Sequence, residues 1–148
     1  MDCYLCEENL RQASGDLVGA VAELETGWLR LHSRQRFRGA AFFAAKACVR
    51  EFYELDEPTR IRHFEELSKV CRAIDSIFEP LKMNVESLGN GVPHLHWWIT
   101  PRYVTDARPM APIWEDLDFL REMWTGTGHA EDQELEASAT LLRAALKL

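Results

Sequence analysis

The chain has 148 residues, a length typical of one domain, and 47% of them are hydrophobic, which is enough for a core of ordinary size. Charged residues make up 28%, which argues against a disordered or low-complexity protein. The formal net charge of −7 argues against non-specific binding to a nucleic acid polymer, because such binding needs a basic field, but it leaves room for a small phosphate ligand in a local pocket.

The amino terminus shows no basic segment followed by an apolar stretch, so we expect a cytoplasmic protein without a secretory leader. The longest run with little charge, 39–45, is too short to span a membrane. In the cytoplasm the cysteines are expected to be reduced, which favours metal binding or burial over a disulfide. The four cysteines are Cys3, Cys6, Cys48 and Cys71.

The first third of the chain predicts three strands. Loose alternation favours a short strand over 17–23, and bulky residues favour a second strand over 27–32. After a basic loop, the apolar run 40–48 is interpreted as a central strand, although its alanines also allow a helix. We interpret His32 and, farther along, His63 as surface or capping residues rather than ligands.

The clearest helix begins after Asp56, a typical N-cap residue, with Glu57 and Pro58 in its first turn. Apolar residues then recur at three- and four-residue spacing and predict one apolar face. They are Ile61, Phe64, Leu67, Val70, Ile74 and Ile77. Pro80 ends the helix, because the residue before a proline is pushed out of the helical region.

The second half of the chain predicts two more strands and two more helices. The strands fit 83–88 and 94–100, and the helices fit 114–124 and 131–148. The whole order predicts an α+β domain. We expect a mainly antiparallel sheet of about five strands with the long helix packed on it and extra helices at the carboxyl end.

The segment around the last predicted strand carries the chemistry. Side chains alternate along a strand, so His94, His96 and Trp98 are expected to share one face, and the apolar residues between them are expected to face the core.

A glycine-bearing turn precedes this strand, since Gly89 and Gly91 flank Asn90. Such a turn lets backbone N–H groups approach an anion closely, because no Cβ stands in the way. We therefore expect a phosphate over Gly91 and Val92, near the histidine face.

The succession of His94-Leu95-His96 and Pro101-Arg102-Tyr103, with Gly-Asn upstream, resembles the signature of the histidine-triad (HIT) family. In that family three histidines alternate with apolar residues. The resemblance implies a HIT domain over 1–115 with a helical extension over 116–148 packed on the same domain. It also implies a homodimer, formed through the helix at 56–79 or through the adjacent sheet edge.

The resemblance assigns the role of nucleophile to His96. A neutral imidazole would attack the α-phosphate and form a nucleotidyl-histidine intermediate, which water or another acceptor resolves. The phosphate contacts fall on Asn90, Gly91, Val92, His94 and Trp98. The implied substrates are nucleoside phosphoramidates, dinucleoside polyphosphates or nucleotide sugars, and this chemistry requires no divalent metal.

Trp98 departs from the family pattern, because the third histidine normally stands there and contacts the phosphate or the leaving group. An indole offers one N–H donor and has the bulk to fill the phosphate pocket. A related transferase branch has glutamine at this position, so turnover is not excluded. Three hypotheses remain: a nucleotidyl hydrolase or transferase, a nucleotide binder that has lost turnover, and a zinc-stabilised interaction module.

Cys3-x-x-Cys6 is half of a zinc site on spacing alone. The chain is similar to bacterial HIT proteins that hold a structural zinc with such a pair, a ligand after the central strand and the first triad histidine. These further ligands fall on Cys48 and His94, which completes a good tetrahedral environment. Alternatively, Cys48 is a small apolar residue at a strand end.

Overall fold

The computed structural model describes residues 3–147. Within this range the chain forms an antiparallel five-stranded sheet and four helices. The helices are α1 (Tyr4–Ser14), α2 (Glu57–Phe78), α3 (Leu117–Thr125) and α4 (Asp132–Leu146). The strands are β1 (Ala20–Glu23), β2 (Gly27–Leu31), β3 (Ala41–Ala45), β4 (Lys82–Glu86) and β5 (His96–Arg102). The predicted α+β class is confirmed; the predicted last helix ended at residue 148, which lies outside the described residues.

The strand order is β1–β2–β3–β5–β4, and every neighbouring pair is antiparallel. β3 is therefore the central strand, and the helical alternative for this segment is wrong. The register pairs Ala44 with His96 and Phe42 with Trp98. Because paired residues point to the same side of a sheet, these four side chains share one face, called here the site face.

The other face of the sheet carries the main core, against which α2 and α4 pack. The most deeply buried members of this core lie on β2, β3 and β5 of the sheet and on the helices α2 and α4. They are Leu29, Phe43, Val70, Ile74, Ile99, Ala139 and Leu142. Trp97 of β5 packs at the edge of the same cluster, as the alternation in that strand predicts. No helix in the described part of the chain has the length and apolar composition needed to cross a bilayer.

The ends of α2 follow their local sequence signals. The carboxylate of Asp56 accepts a hydrogen bond from the backbone N–H of Thr59 (3.0 Å), which caps the helix as predicted. At the other end Glu79 adopts a left-handed conformation (φ 48°) directly before Pro80. The predicted limits of this helix are thus confirmed.

The apolar face predicted for α2 is only partly correct. Ile61 and Phe64 are 55% and 39% exposed, whereas the polar His63 and Glu66 are buried in their place. The reason is a set of hydrogen bonds from distant strands, described below, which satisfies both polar side chains in the core.

Two segments cover opposite ends of the site face. α1, which the sequence did not predict, contacts it through hydrogen bonds from Arg30 to Asn9 and Gln12. At the other end, Phe119 of α3 belongs to a small cluster that includes Trp98. The boundary expected at residue 115 stays a prediction.

Candidate functional site

His96 opens β5 and is 8% exposed. Its Nδ1 lies 2.6 Å from the carbonyl oxygen of His94. Because a carbonyl oxygen can only accept, Nδ1 carries the proton and Nε2 keeps its lone pair. Burial lowers the pKa of His96 below its usual 6.5, and the bond to the carbonyl opposes this only in part. The ring is therefore neutral at pH 7, with a nucleophilic nitrogen at Nε2.

His94 lies before β5, which begins two residues later than predicted. Its buried ring donates from Nε2 to the carbonyl oxygen of Ala45 (2.8 Å). The lone pair is therefore on Nδ1, which lies 3.2 Å from Sγ of Cys3 and 3.5 Å from Sγ of Cys6. Both ring nitrogens are thus directed at protein groups, and the phosphate contact expected of this side chain stays a prediction.

The structure brings together the four residues expected to bind zinc. The ligand atoms of Cys3, Cys6, Cys48 and His94 all lie within 4.8 Å of one another. α1 supplies the first two residues at its amino end, and the loops after β3 and before β5 supply the others. Zn–S bonds of about 2.3 Å and Zn–N bonds of about 2.0 Å separate tetrahedral ligand atoms by roughly 3.5–3.8 Å. The distances from Nδ1 of His94 to the sulfurs of Cys3 (3.2 Å) and Cys6 (3.5 Å) are close to these values, and all four ligand atoms lie within 4.8 Å of one another, so the residues fit a tetrahedral metal.

The electrostatics of the cluster also favour a cation. Burial, and then the neighbouring Cys48 and Cys3 thiols, raise the pKa of Cys6 to about 12. Burial acts to raise the pKa of Cys3 as well, but hydrogen bonds from the backbone and thiol of Cys6 outweigh it and lower that pKa. Two neighbouring thiolates repel each other unless a positive charge lies between them. A divalent cation would supply that charge and bind the thiolates.

The turn expected to hold phosphate lies in the loop between β4 and β5. Gly89 has a φ of 66°, a left-handed conformation that favours glycine, and a Cβ at Gly91 would meet no atom within 4 Å. Asn90 and Gly91 are exposed. The carbonyl oxygen of Val92 accepts from the N–H of His94 (2.8 Å), which ties the turn to the segment that orients His96.

Trp98 is half-buried in an aromatic cluster. The centroid of its ring lies 4.9 Å from that of Phe42, 5.3 Å from that of His32 and 6.1 Å from that of Trp114. Trp114 in turn donates its indole N–H to Glu86 on β4 (3.0 Å). The side chain at the third triad position therefore joins the sheet to the carboxyl-terminal segment.

The expectation that His32 lies at the surface is wrong, although its Nδ1 does cap the following turn by accepting from the backbone N–H of Arg34 (2.9 Å). His32 is buried between Phe42 and Trp98, and burial lowers its pKa to about 4. Its aromatic neighbours lie on β3 and β5, so no local sequence pattern reveals its place beside the site.

The same expectation is wrong for His63, which is 0% exposed. Its Nε2 accepts from the indole N–H of Trp97 (3.0 Å), and its Nδ1 donates to the hydroxyl of Thr26 (2.8 Å). That hydroxyl donates in turn to Glu66. The chain of bonds fixes Trp97, which lies between the two site residues of β5.

Comparisons with known proteins agree with this geometry. A family model described as "HIT domain" matches residues 21–105. "Protein hit" of Bacillus subtilis (strain 168) is 31% identical over 108 residues, which cover 69% of this chain and 72% of that protein.

Two solved structures have the same fold. One is a hypothetical histidine triad nucleotide-binding protein from Sulfolobus tokodaii strain7, with a TM-score of 0.70 and 17% identity over 98% of this chain and 92% of that one. The other is a Zn-bound histidine triad family protein from Mycobacterium smegmatis, with a TM-score of 0.66 and 20% identity over 99% of this chain and 94% of that one.

Proposed function

The chain belongs to the HIT family, and from that premise we propose that it binds a nucleotide and hydrolyses or transfers it at the α-phosphate through His96. The observation that carries the proposal is the state of the His96 ring. Its Nδ1 proton is held on the carbonyl of His94 (2.6 Å), and Nε2 is left neutral and nucleophilic.

In the proposed reaction, Nε2 of His96 donates its lone pair to the α-phosphorus, and the bond to the leaving group breaks with its electron pair. The ring then carries a positive charge, so its hydrogen bond to the carbonyl of His94 becomes stronger. Water attacks the phosphorus, loses a proton to the solvent or the leaving group, and releases the nucleoside monophosphate and neutral His96. Another acceptor in place of water gives transfer.

We assign phosphate binding to the backbone of Asn90, Gly91 and Val92. Their exposed turn presents N–H groups without steric cover, and it is tied to the histidine segment by the bond to His94. Trp98 would bound the site with its ring and offer one N–H at most. The nucleotide-binding description of the Sulfolobus tokodaii protein supports the proposal that this chain binds a nucleotide.

We propose that Cys3, Cys6, Cys48 and His94 hold a structural zinc ion. The compact ligand set and the Zn-bound protein of Mycobacterium smegmatis support the proposal. When bound, the metal supplies folding stability by joining the amino end of α1 to the loops beside β3 and β5.

We also propose a homodimer, on the family resemblance. β4 is an edge strand, and Ile61 and Phe64 on α2 are apolar side chains with large exposed fractions. These features leave apolar surface for a second copy at the helix and sheet edge expected from the sequence.

The experiment that tests the proposed reaction measures turnover of adenosine and guanosine phosphoramidates. His96→Ala is expected to abolish activity, whereas His129→Ala, which changes an exposed histidine between α3 and α4, leaves it unchanged. Trp98→His adds a donor and is expected to raise the rate roughly a hundredfold. Activity that survives His96→Ala contradicts the mechanism. An inactive wild type that binds the monophosphates identifies a degenerate binder instead.

A further inference from the structure

Glu86 is a carboxylate on the site face. It ends β4 and pairs with Trp98 in the sheet register, so both side chains lie on the same side of the sheet. Its Oε1 accepts a hydrogen bond from the indole N–H of Trp114 (3.0 Å). Its Oε2 is shielded from solvent and has no hydrogen-bond partner among residues 3–147. One oxygen of this carboxylate is therefore neither solvated nor paired.

Two carboxylates of the carboxyl-terminal segment differ from Glu86, because each is paired with an arginine. Asp116 contacts Arg36 (3.3 Å), and Glu115 contacts Arg108 (2.8 Å). Glu86 forms no such pair in the part of the chain that the structure describes. A shielded oxygen without a partner costs free energy, and a positively charged group that enters beside the carboxylate recovers it.

Two indole rings lie beside this carboxylate. The ring centroids of Trp98 and Trp114 are 6.1 Å apart, with an angle of 44° between the planes. Tryptophan presents the aromatic face that attracts organic cations most strongly. Trp114 lies in a three-residue turn (Ile113–Glu115) and is 38% exposed, so its ring can turn outward to admit a guest. An unpaired carboxylate oxygen between two indoles favours an alkylammonium group over a neutral or anionic group.

The position of this cluster relative to His96 follows from the strand register. β4 and β5 are antiparallel and joined by the loop that contains the glycine turn, and Glu86 pairs with the residue two places after His96. His96 therefore lies between the turn and the Glu86–Trp98 pair. Strand spacing places the Cα atoms of Glu86 and His96 roughly 8 Å apart. A phosphate held by the turn over His96 has this pair on its other side, within reach of a short group attached to the phosphorus.

We propose that Glu86, Trp98 and Trp114 form an ammonium subsite, which binds a positively charged organic amine on the leaving group of the substrate. The inference rests on the proposed function and narrows its substrate class to nucleotide conjugates with a cationic leaving group. The positive charge lies against Oε2 of Glu86 and the faces of the two indoles. A phosphorylated leaving group is disfavoured, because the carboxylate repels it.

Calorimetry with the metal-loaded protein tests the ammonium subsite. The probes are AMP, its choline ester and its neohexyl ester, in which a carbon atom replaces the charged nitrogen. The two esters therefore differ in charge and hardly in shape. AMP is titrated into wild type, and all three probes are titrated into His96→Ala, which does not consume the esters. We expect the choline ester to bind roughly tenfold more tightly than the neohexyl ester.

Three further variants, each made in the His96→Ala protein, assign this preference to residues. Glu86→Gln keeps an acceptor for the indole N–H of Trp114 and removes the charge, so the preference should fall to about threefold or less. Trp114→Leu should also reduce it, with the affinities for AMP and the neohexyl ester nearly unchanged. Glu115→Gln, which changes an exposed carboxylate next to Trp114, should keep the full preference.

The outcomes separate the subsite from the proposed function. A wild type that does not bind AMP contradicts nucleotide binding, and the inference falls with it. AMP binding with equal affinities for the two esters overturns the ammonium subsite alone. An undiminished preference in both Glu86→Gln and Trp114→Leu overturns it as well. Equal weakening of all three probes by Trp114→Leu would show that this side chain only holds the carboxyl-terminal segment on the sheet, and it too would overturn the subsite.

Discussion

The buried His63 makes the stability of this protein depend on pH. Burial lowers the pKa of His63 to about 4, against an ordinary value of 6.5 in an unfolded chain. As the pH falls from 6.5 to about 4, this histidine binds a proton in the unfolded chain but not in the folded chain. The free energy of unfolding therefore decreases. The difference of roughly 2.5 units corresponds to about 3 kcal/mol, since each unit is worth about 1.36 kcal/mol.

The stabilising contribution is therefore fully present above about pH 6.5 and is lost progressively down to about pH 4. The physical cause is local. A proton on Nε2 would remove the acceptor of the Trp97 indole N–H and place a charge in the core, away from water.

His63→Gln isolates this effect, because a glutamine amide can accept from Trp97 and donate to Thr26 but does not titrate. Urea unfolding at several pH values between 4 and 8, followed by tryptophan fluorescence, gives the free energy of unfolding. We expect the variant to be less stable than wild type near pH 7.5 by about 1–2 kcal/mol, and this gap to close or reverse near pH 4. His129→Gln, an exposed control, should follow wild type. Parallel pH curves for wild type and His63→Gln would refute the reasoning.

Two further predictions concern the metal and the assembly. Elemental analysis of untagged protein should find about one zinc per chain. Cys48→Ser should lower the zinc content, whereas Cys71→Ser, which changes a cysteine packed against the core, should not. A wild type without stoichiometric metal rejects the site. Light scattering at micromolar concentration should show a dimer. Ile61→Glu should dissociate the dimer, whereas Leu141→Glu, at a similarly exposed position on α4, should not. A monomeric wild type counts against the proposed dimer.

Local patterns were sufficient for the elements whose signals lie within a few residues. The apolar run of β3, the capping of α2 by Asp56 and the proline after that helix all predict their elements correctly. α1 was missed for a physical reason. Its buried face is formed by Leu5 and the amides Asn9 and Gln12, which bond to the sheet, so it has little apolar periodicity.

The candidate site likewise has one part that short sequence motifs predict and another that they do not. The histidine spacing and the cysteine pair predicted which residues gather, because both signals are short motifs. The burial of His63 depends on Thr26 and Trp97, which lie 37 and 34 residues away in the sequence. The surroundings of Trp98 depend on Trp114 in the carboxyl-terminal segment. Contacts of this kind arise only when the strands and helices assemble, so one sequence does not display them.

His94 connects the parts of the site more directly than its place in the motif suggests. Its N–H bonds to the carbonyl of Val92, its Nε2 to the carbonyl of Ala45 on the central strand, and its Nδ1 faces two cysteines. Its own carbonyl holds the proton of His96. One residue thus contacts the glycine turn, the cysteine cluster and His96 together. This arrangement gives a physical reason for a histidine here even though its ring contacts protein groups, and it means that distortion of the cysteine cluster would reach His96 through a single backbone segment.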